Sequence, residues 1–153
     1  PGVPGLKRGG GEMKNTAEKT HSEEQATAQM DSIRELVQAL HTARLFPSGP
    51  SYIRQRSRLS PREAAEQAIQ EDALEVSIRE DWHAPGETSP DKEYLILLCT
   101  GGPAVRITGN LNQYKEPENA RLEYQGWGTA WAEYRGADEE VLLEYARQFY
   151  FGE

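Results

Sequence analysis

The pattern of apolar and polar positions changes period along this chain, and each change marks an element. Between Glu23 and Leu45, apolar residues recur at three- and four-residue spacing: Met30, Ile33, Leu36, Val37, Leu40 and Leu45. That period predicts a helix with a narrow apolar stripe. Such a stripe suits packing on a partner, on a second copy or on the chain's own domain. Phe46-Pro47-Ser48-Gly49-Pro50 breaks the helix. Ser60-Pro61-Arg62-Glu63 then reads as a helix start, with Ser60 as N-cap, Pro61 in the first turn and Glu63 closing a capping box. This helix runs to about Asp72 and turns Ala64, Ala65, Ala68 and Ile69 inward.

From Leu74 the period drops to two. Leu74, Val76 and Ile78 alternate with Glu75, Ser77 and Arg79, as expected of a half-buried strand. Tyr94 to Thr100 is a continuous apolar run and predicts a central strand covered on both faces. Gly101-Gly102-Pro103 turns the chain into a strand from Ala104 to Leu111. After a loop holding Pro117, Ala120–Gln125 and Thr129–Tyr134 read as further strands around a Gly126-Trp127-Gly128 bend. A last helix follows Gly136 and Asp138, with acid in its first turn and Leu142, Tyr145, Ala146 and Phe149 on one face. Strands joined without intervening helices form an antiparallel meander of three to four strands. The expected fold class is α+β. One helix precedes the meander and one follows, both covering one sheet face, and a separate N-terminal helix lies ahead of them. The domain plan is a disordered arm over 1–24, a helix and basic linker over 25–59, and a globular α+β body over 60–153. The arm is rich in Gly and Pro, and Met13 reads as a natural start.

Charge divides the chain unevenly. Residues 1–59 hold 9 Lys/Arg against 6 Asp/Glu, and residues 60–153 hold 8 against 19. A body this acidic is repelled by nucleic-acid phosphates, so no direct nucleic-acid contact is expected. Acid favours a partner with a basic surface, or simply solubility. The alternating Arg54, Arg56 and Arg58 beside Tyr52 can bind phosphate or an acidic surface, or serve as a solvated linker against the acidic body. The lone Cys99 excludes an internal disulfide. No window approaches a membrane span, and a reducing, cytoplasmic setting is expected.

Candidate chemistry is sparse. His21, His41 and His83 show no metal-ligand spacing, and no cofactor is expected. Gly101-Gly102-Pro103 lacks the rest of a phosphate loop. Asp81 and His83 share a parity, so a Cys99–His83–Asp81 hydrolase or transferase site across a hairpin is an alternative. The aromatic set Tyr124, Trp127, Trp131 and Tyr134 either covers the core beneath the last helix or supplies interface anchors, and Trp and Tyr are favoured anchors. Joining aromatics and acid gives a candidate partner-binding set of Glu80, Asp81, Trp82, Trp127, Trp131 and Glu133.

Four strings, IREDWHAPG (78–86), EYLILLCTGGPAVRITG (93–109), ARLEYQGWGTAW (120–131) and YARQFYFGE (145–153), resemble a family of small uncharacterised accessory proteins encoded by phages and mobile elements of proteobacteria. The resemblance covers about residues 60–153. It brings no reaction and no catalytic residues. It implies a setting, the bacterial host cell, in which small acidic proteins inhibit defence nucleases, restriction enzymes or CRISPR complexes by binding them. The expectation is a non-enzymatic protein that binds a host protein through an acidic, Trp-bearing surface. A structural or regulatory dimer joined through the 23–45 helix is a further alternative.

Overall fold

A computed structural model describes residues 9–46, 59–87 and 92–152, with side chains from residue 20 onward. Among the described residues the order is helix α1 (Gly9–Leu45), helix α2 (Pro61–Asp72), strands β1 (Glu75–Glu80), β2 (Lys92–Cys99), β3 (Ala104–Leu111), β4 (Arg121–Gln125) and β5 (Ala132–Glu133), and helix α3 (Glu139–Ala146). The five strands form one antiparallel sheet in sequence order, β1-β2-β3-β4-β5. The α+β meander expected from the pattern is therefore present, with five strands rather than three or four.

Helix α1 corrects the expected arm. It starts at Gly9, so residues 9–24 are helical rather than disordered. No proline stands between Pro4 and Pro47, and Ala17, Glu18, Lys19, Glu24, Gln25 and Ala26 all favour helix. From Ser22 onward one face of α1 is buried: Ser22, Ala26, Met30, Ile33, Val37, Leu40 and Ala43. Ala26, Met30, Ile33, Val37 and Leu40 join Ile96, Val105, Ile107, Leu122, Leu142 and Tyr145 in one core. The stripe, apart from the exposed Leu45, thus docks on its own domain. Arg44 reaches Glu144 at 3.2 Å and Arg34 donates to the Gly136 carbonyl at 3.3 Å, tying the helix to the α3 region.

The capping box of α2 forms as its sequence requires. The Glu63 amide donates to Ser60 Oγ at 3.2 Å, and the Ser60 amide donates to Glu63 Oε2 at 3.1 Å. Ile69 is buried and Ala65 half-buried, while Ala64 and Ala68 are exposed. The Tyr145 hydroxyl donates to Asp72 at 2.7 Å, joining α3 to α2. Burial, and then the Asp72 carboxylate, hold that phenol well above its usual range.

α1 crosses β3 and β4, and α2 and α3 pack on α1. One sheet face is therefore covered: Tyr94, Ile96 and Leu98 of β2, Val105 and Ile107 of β3, and Leu122 and Tyr124 of β4. The expectation that β2 is covered on both faces is corrected. Leu95 and Leu97 point to the opposite face and are only half-buried, because the described helices all lie on the other side. Gly109 marks the tightest point of the core side. A Cβ there would stand 2.1 Å from the Asn119 carbonyl oxygen and 2.8 Å from Tyr94 Cε1. This lets the Tyr94 hydroxyl, whose ionisation burial opposes, donate to that carbonyl at 2.6 Å. The basic linker with Tyr52, Arg54, Arg56 and Arg58 lies outside the described residues.

Candidate interaction surface

The strand register maps the uncovered sheet face row by row, because residues directly opposite in an antiparallel pair share a face. One row reads Glu75–Leu97–Arg106–Glu123–Glu133, the next Ser77–Leu95–Thr108–Arg121, the third Arg79–Glu93–Asn110. Carboxylates and guanidinium groups are interspersed on these rows, and two pairs form. Arg79 bonds Glu93. Arg106 Nε donates to Glu123 Oε1 at 3.0 Å, and Thr108 Oγ1 donates to the same oxygen at 3.0 Å. The guanidinium of Arg106 lies 3.8 Å from the centroid of the Trp131 ring. Arg106 is thus held between an indole face and a carboxylate, a cation–π contact reinforcing an ion pair. Arg121 is exposed and has no ion-pair partner among the described residues. Between it, Thr108, Arg106 and Leu95 the face dips into a shallow concavity of about 240 Å³.

Local sequence explains the neighbouring tryptophan. Thr129 N donates to the Gly126 carbonyl at 3.2 Å, and Gly128 has φ +74°. A positive φ at the third position is the signature of a type II turn, with Trp127 at its second position. The Thr129 hydroxyl accepts from Gly126 N at 2.9 Å, and Gln125 Nε2 donates to the Thr129 carbonyl at 2.7 Å. The turn is tied down on both sides while Trp127 at its tip is 76% exposed. Neither Trp127 nor Trp131 lies beneath α3. Tyr124 and Tyr134 do face the helices, Tyr124 buried and Tyr134 with its hydroxyl 3.1 Å from Thr27 Oγ1.

The six candidate residues fall into two groups. Trp127, Trp131 and Glu133 lie together at the β5 corner, where Glu133 stands opposite Glu123 on the uncovered face. Glu80, Asp81 and Trp82 lie at the far end of β1, the other edge strand. Four inter-strand steps and most of a strand length put the two groups on the order of 25–30 Å apart. Glu80 is bound by Lys92 Nζ at 2.6 Å, with His83 Nε2 at 3.6 Å from its other oxygen. Lys92 above all, then His83, lowers the Glu80 carboxyl pKa. Trp82 is fully exposed and touches none of the aromatic groups above. Sequence reasoning placed Glu123 with Glu133 as a polar rim but missed Arg106 and Arg121, which sit at the polar positions of strands whose alternate residues are apolar.

The Cys99–His83–Asp81 arrangement is not assembled. Cys99 ends β2 beside the Gly101–Pro103 turn, whereas His83 follows the opposite end of β1. A register shift after Leu97 sets Cys99 opposite Val105, on the helix side. Burial there pushes the thiol pKa up, against hydrogen bonds that include Gln25 and Gln29 of α1. Among the described residues no three His, Cys, Asp or Glu side chains are grouped to hold a metal ion, and no helix is long and apolar enough to cross a membrane. Comparison of the chain with protein-family models, curated proteins and solved structures finds no match.

Proposed function

We propose that this chain is a non-enzymatic binding protein that contacts another protein with the uncovered sheet face and its Trp127 corner. The observation that carries this reading is the Trp131–Arg106–Glu123 stack standing on the sheet face that none of the described helices covers, beside a tied turn that displays Trp127. Trp and Arg are the residue types that most often dominate binding energy, and here they are held by strands before any partner arrives. The face itself is close to charge-balanced, with Arg79, Arg106 and Arg121 against Glu75, Glu93, Glu123 and Glu133. The surplus acid of residues 60–153 therefore lies mostly around it, on loops and helices, with Glu80 and Asp81 at one corner. That arrangement suits recognition by the face and steering by the surrounding field toward a host protein with a basic surface. The resemblance to accessory proteins of phages and mobile elements suggests the class of partner. It is a host defence protein whose nucleic-acid-binding surface would be occluded, in the cytoplasm of the bacterial cell.

Affinity capture with the full chain from a proteobacterial lysate tests this, with Trp127→Ala/Trp131→Ala and Glu80→Lys/Asp81→Lys variants in parallel. A protein retained by the unsubstituted chain should be lost by the Trp variant at any salt. Charge reversal should weaken its capture mainly at low salt. Retention of the same proteins by the Trp variant, with its circular dichroism unchanged, overturns the reading.

A further inference from the structure

The two edges of the sheet are built differently. β5 is two residues long, and a short edge strand offers little to pair with. β1 is six residues long, EVSIRE, with no Pro, no Lys and no bulge against β2, and the charges it does carry, Glu75, Arg79 and Glu80, are of both signs. Leu74, Val76 and Ile78 beside it are 61%, 39% and 42% exposed. Register places Val76 and Ile78 on the helix side of the sheet, opposite Ile96 and Tyr94. α1 crosses β3 and β4 instead, which leaves these two side chains without cover from the described helices. Glu75 and Arg79 flank Ser77 on the other face.

We propose that β1 pairs antiparallel with β1 of a second copy across a two-fold axis at Ser77, joining two sheets edge to edge. The strand's own sequence selects this occupant and this register. A two-fold axis normal to the sheet keeps each face on its own side, so opposing residues must have the same parity. Centring on Ser77 sets Glu75 against the partner's Arg79, twice by symmetry, and Val76 against the partner's Ile78, also twice. Opposite charges and β-branched pairs are the cross-strand combinations that stabilise a sheet. Centring on Ile78 would instead oppose Glu75 to the partner's Asp81 and Val76 to the partner's Glu80. Centring on Val76 would leave Arg79 without a carboxylate across the junction. In the Ser77 register Arg79 bridges Glu93 of its own sheet and the partner's Glu75. The uncovered faces of both copies then lie side by side. This inference stands apart from the proposed host partner, since it uses a different edge and no Trp residue.

Sedimentation equilibrium of the full chain tests the association, and cysteine crosslinking tests the register. The chain should sediment as a dimer at tens of micromolar concentration. Val76→Lys should sediment as a monomer at the same concentration with unchanged circular dichroism. In a Cys99→Ser background, Ser77→Cys should form a disulfide-linked dimer under mild oxidation, because directly opposite strand residues have Cα atoms about 4.5–5.5 Å apart, within disulfide reach. Val76→Cys should not. A monomer at every concentration, including one whose β1 edge is covered by another segment of the same chain, overturns the proposal. So does a dimer that survives Val76→Lys, or crosslinking at Val76→Cys in place of Ser77→Cys.

Discussion

Leu40→Ala tests whether α1 belongs to the core of this domain. Leu40 has no exposed surface and lies in one core with Met30, Ile33 and Val37 and with the sheet residues Ile107 and Leu122. Truncation removes buried methyl groups and leaves a cavity that a close-packed core fills only in part. Leu→Ala changes of this kind cost about 3–5 kcal/mol. At roughly 2–4 °C per kcal/mol for a chain of this size, the midpoint of thermal unfolding should fall by about 6–20 °C. Leu45→Ala is the internal control. Leu45 is on the same helix but 75% exposed, and its truncation should stay within about 0.5 kcal/mol. Urea titration followed by Trp fluorescence and by far-ultraviolet circular dichroism should give one shared transition for both variants, with an unchanged denaturant slope. If α1 were an independent arm awaiting a partner, Leu40→Ala and Leu45→Ala would be equally mild. A difference between them below about 0.5 kcal/mol refutes the placement of α1.

Gly109→Ala should be among the more damaging single-methyl additions. The new Cβ meets the Asn119 carbonyl at 2.1 Å, which is backbone and gives little, so a loss of about 1–3 kcal/mol is expected from overpacking. An unchanged melting temperature would show that the β3–Asn119 approach is looser than described. Cys99 should react with a thiol reagent more slowly than a free cysteine at pH 8, and urea should restore the rate. Burial raises the folded thiol pKa above its unfolded value. Its contribution is therefore fully present below the unfolded thiol pKa and declines as pH rises through that value, so stability should sag on the alkaline side unless Cys99 is replaced by Ser. Labelling at the free-thiol rate in the native protein would contradict the placement of Cys99 beneath α1.

Much of the fold was legible where a local signal had one meaning. Ser60-Pro61-Arg62-Glu63 specifies a helix start whatever the rest of the chain does, and its capping box forms. The apolar run from Tyr94 to Thr100, the Gly101–Pro103 turn and the strand from Ala104 specify the β2–β3 hairpin. Other signals had several meanings. An apolar helical stripe says that something covers it, but its cover is chosen by residues more than a hundred positions away, such as Leu142 and Tyr145. The apolar run of β2 mixes two roles. Tyr94, Ile96 and Leu98 are core, whereas Leu95 and Leu97 stand on the uncovered face among neighbours such as Thr108 and Arg106. The candidate surface was half visible. Trp127, Trp131 and Glu133 do gather at one corner, but Arg106 and Glu123 join them only through strand register, across three strands. Glu80, Asp81 and Trp82 are near neighbours in sequence, and the meander carries them to the opposite edge.

The chemistry of the uncovered face explains how it stays in water and still suits a partner. A sheet face of Leu, Val and Ile would have to be covered by another layer, and left bare it would aggregate. Here the apolar centre is only Leu95 and Leu97, ringed by Arg79, Arg106, Arg121 and the carboxylates of Glu93 and Glu123. The internal ion pairs Arg79–Glu93 and Arg106–Glu123 satisfy all of those charges but Arg121 while the face is wet. Such exposed and half-exposed pairs add little to stability. Their value is geometric, since each pins a long side chain that would otherwise have to be ordered on binding. Trp131 gains most from this, because Arg106 and Glu123 fix the guanidinium stacked on its ring before contact. Arg121 lies outside the pairing, next to the concavity, and in the proposed binding role is the group left to meet a partner's carboxylate. The same residues therefore keep the face soluble and keep its anchors in place.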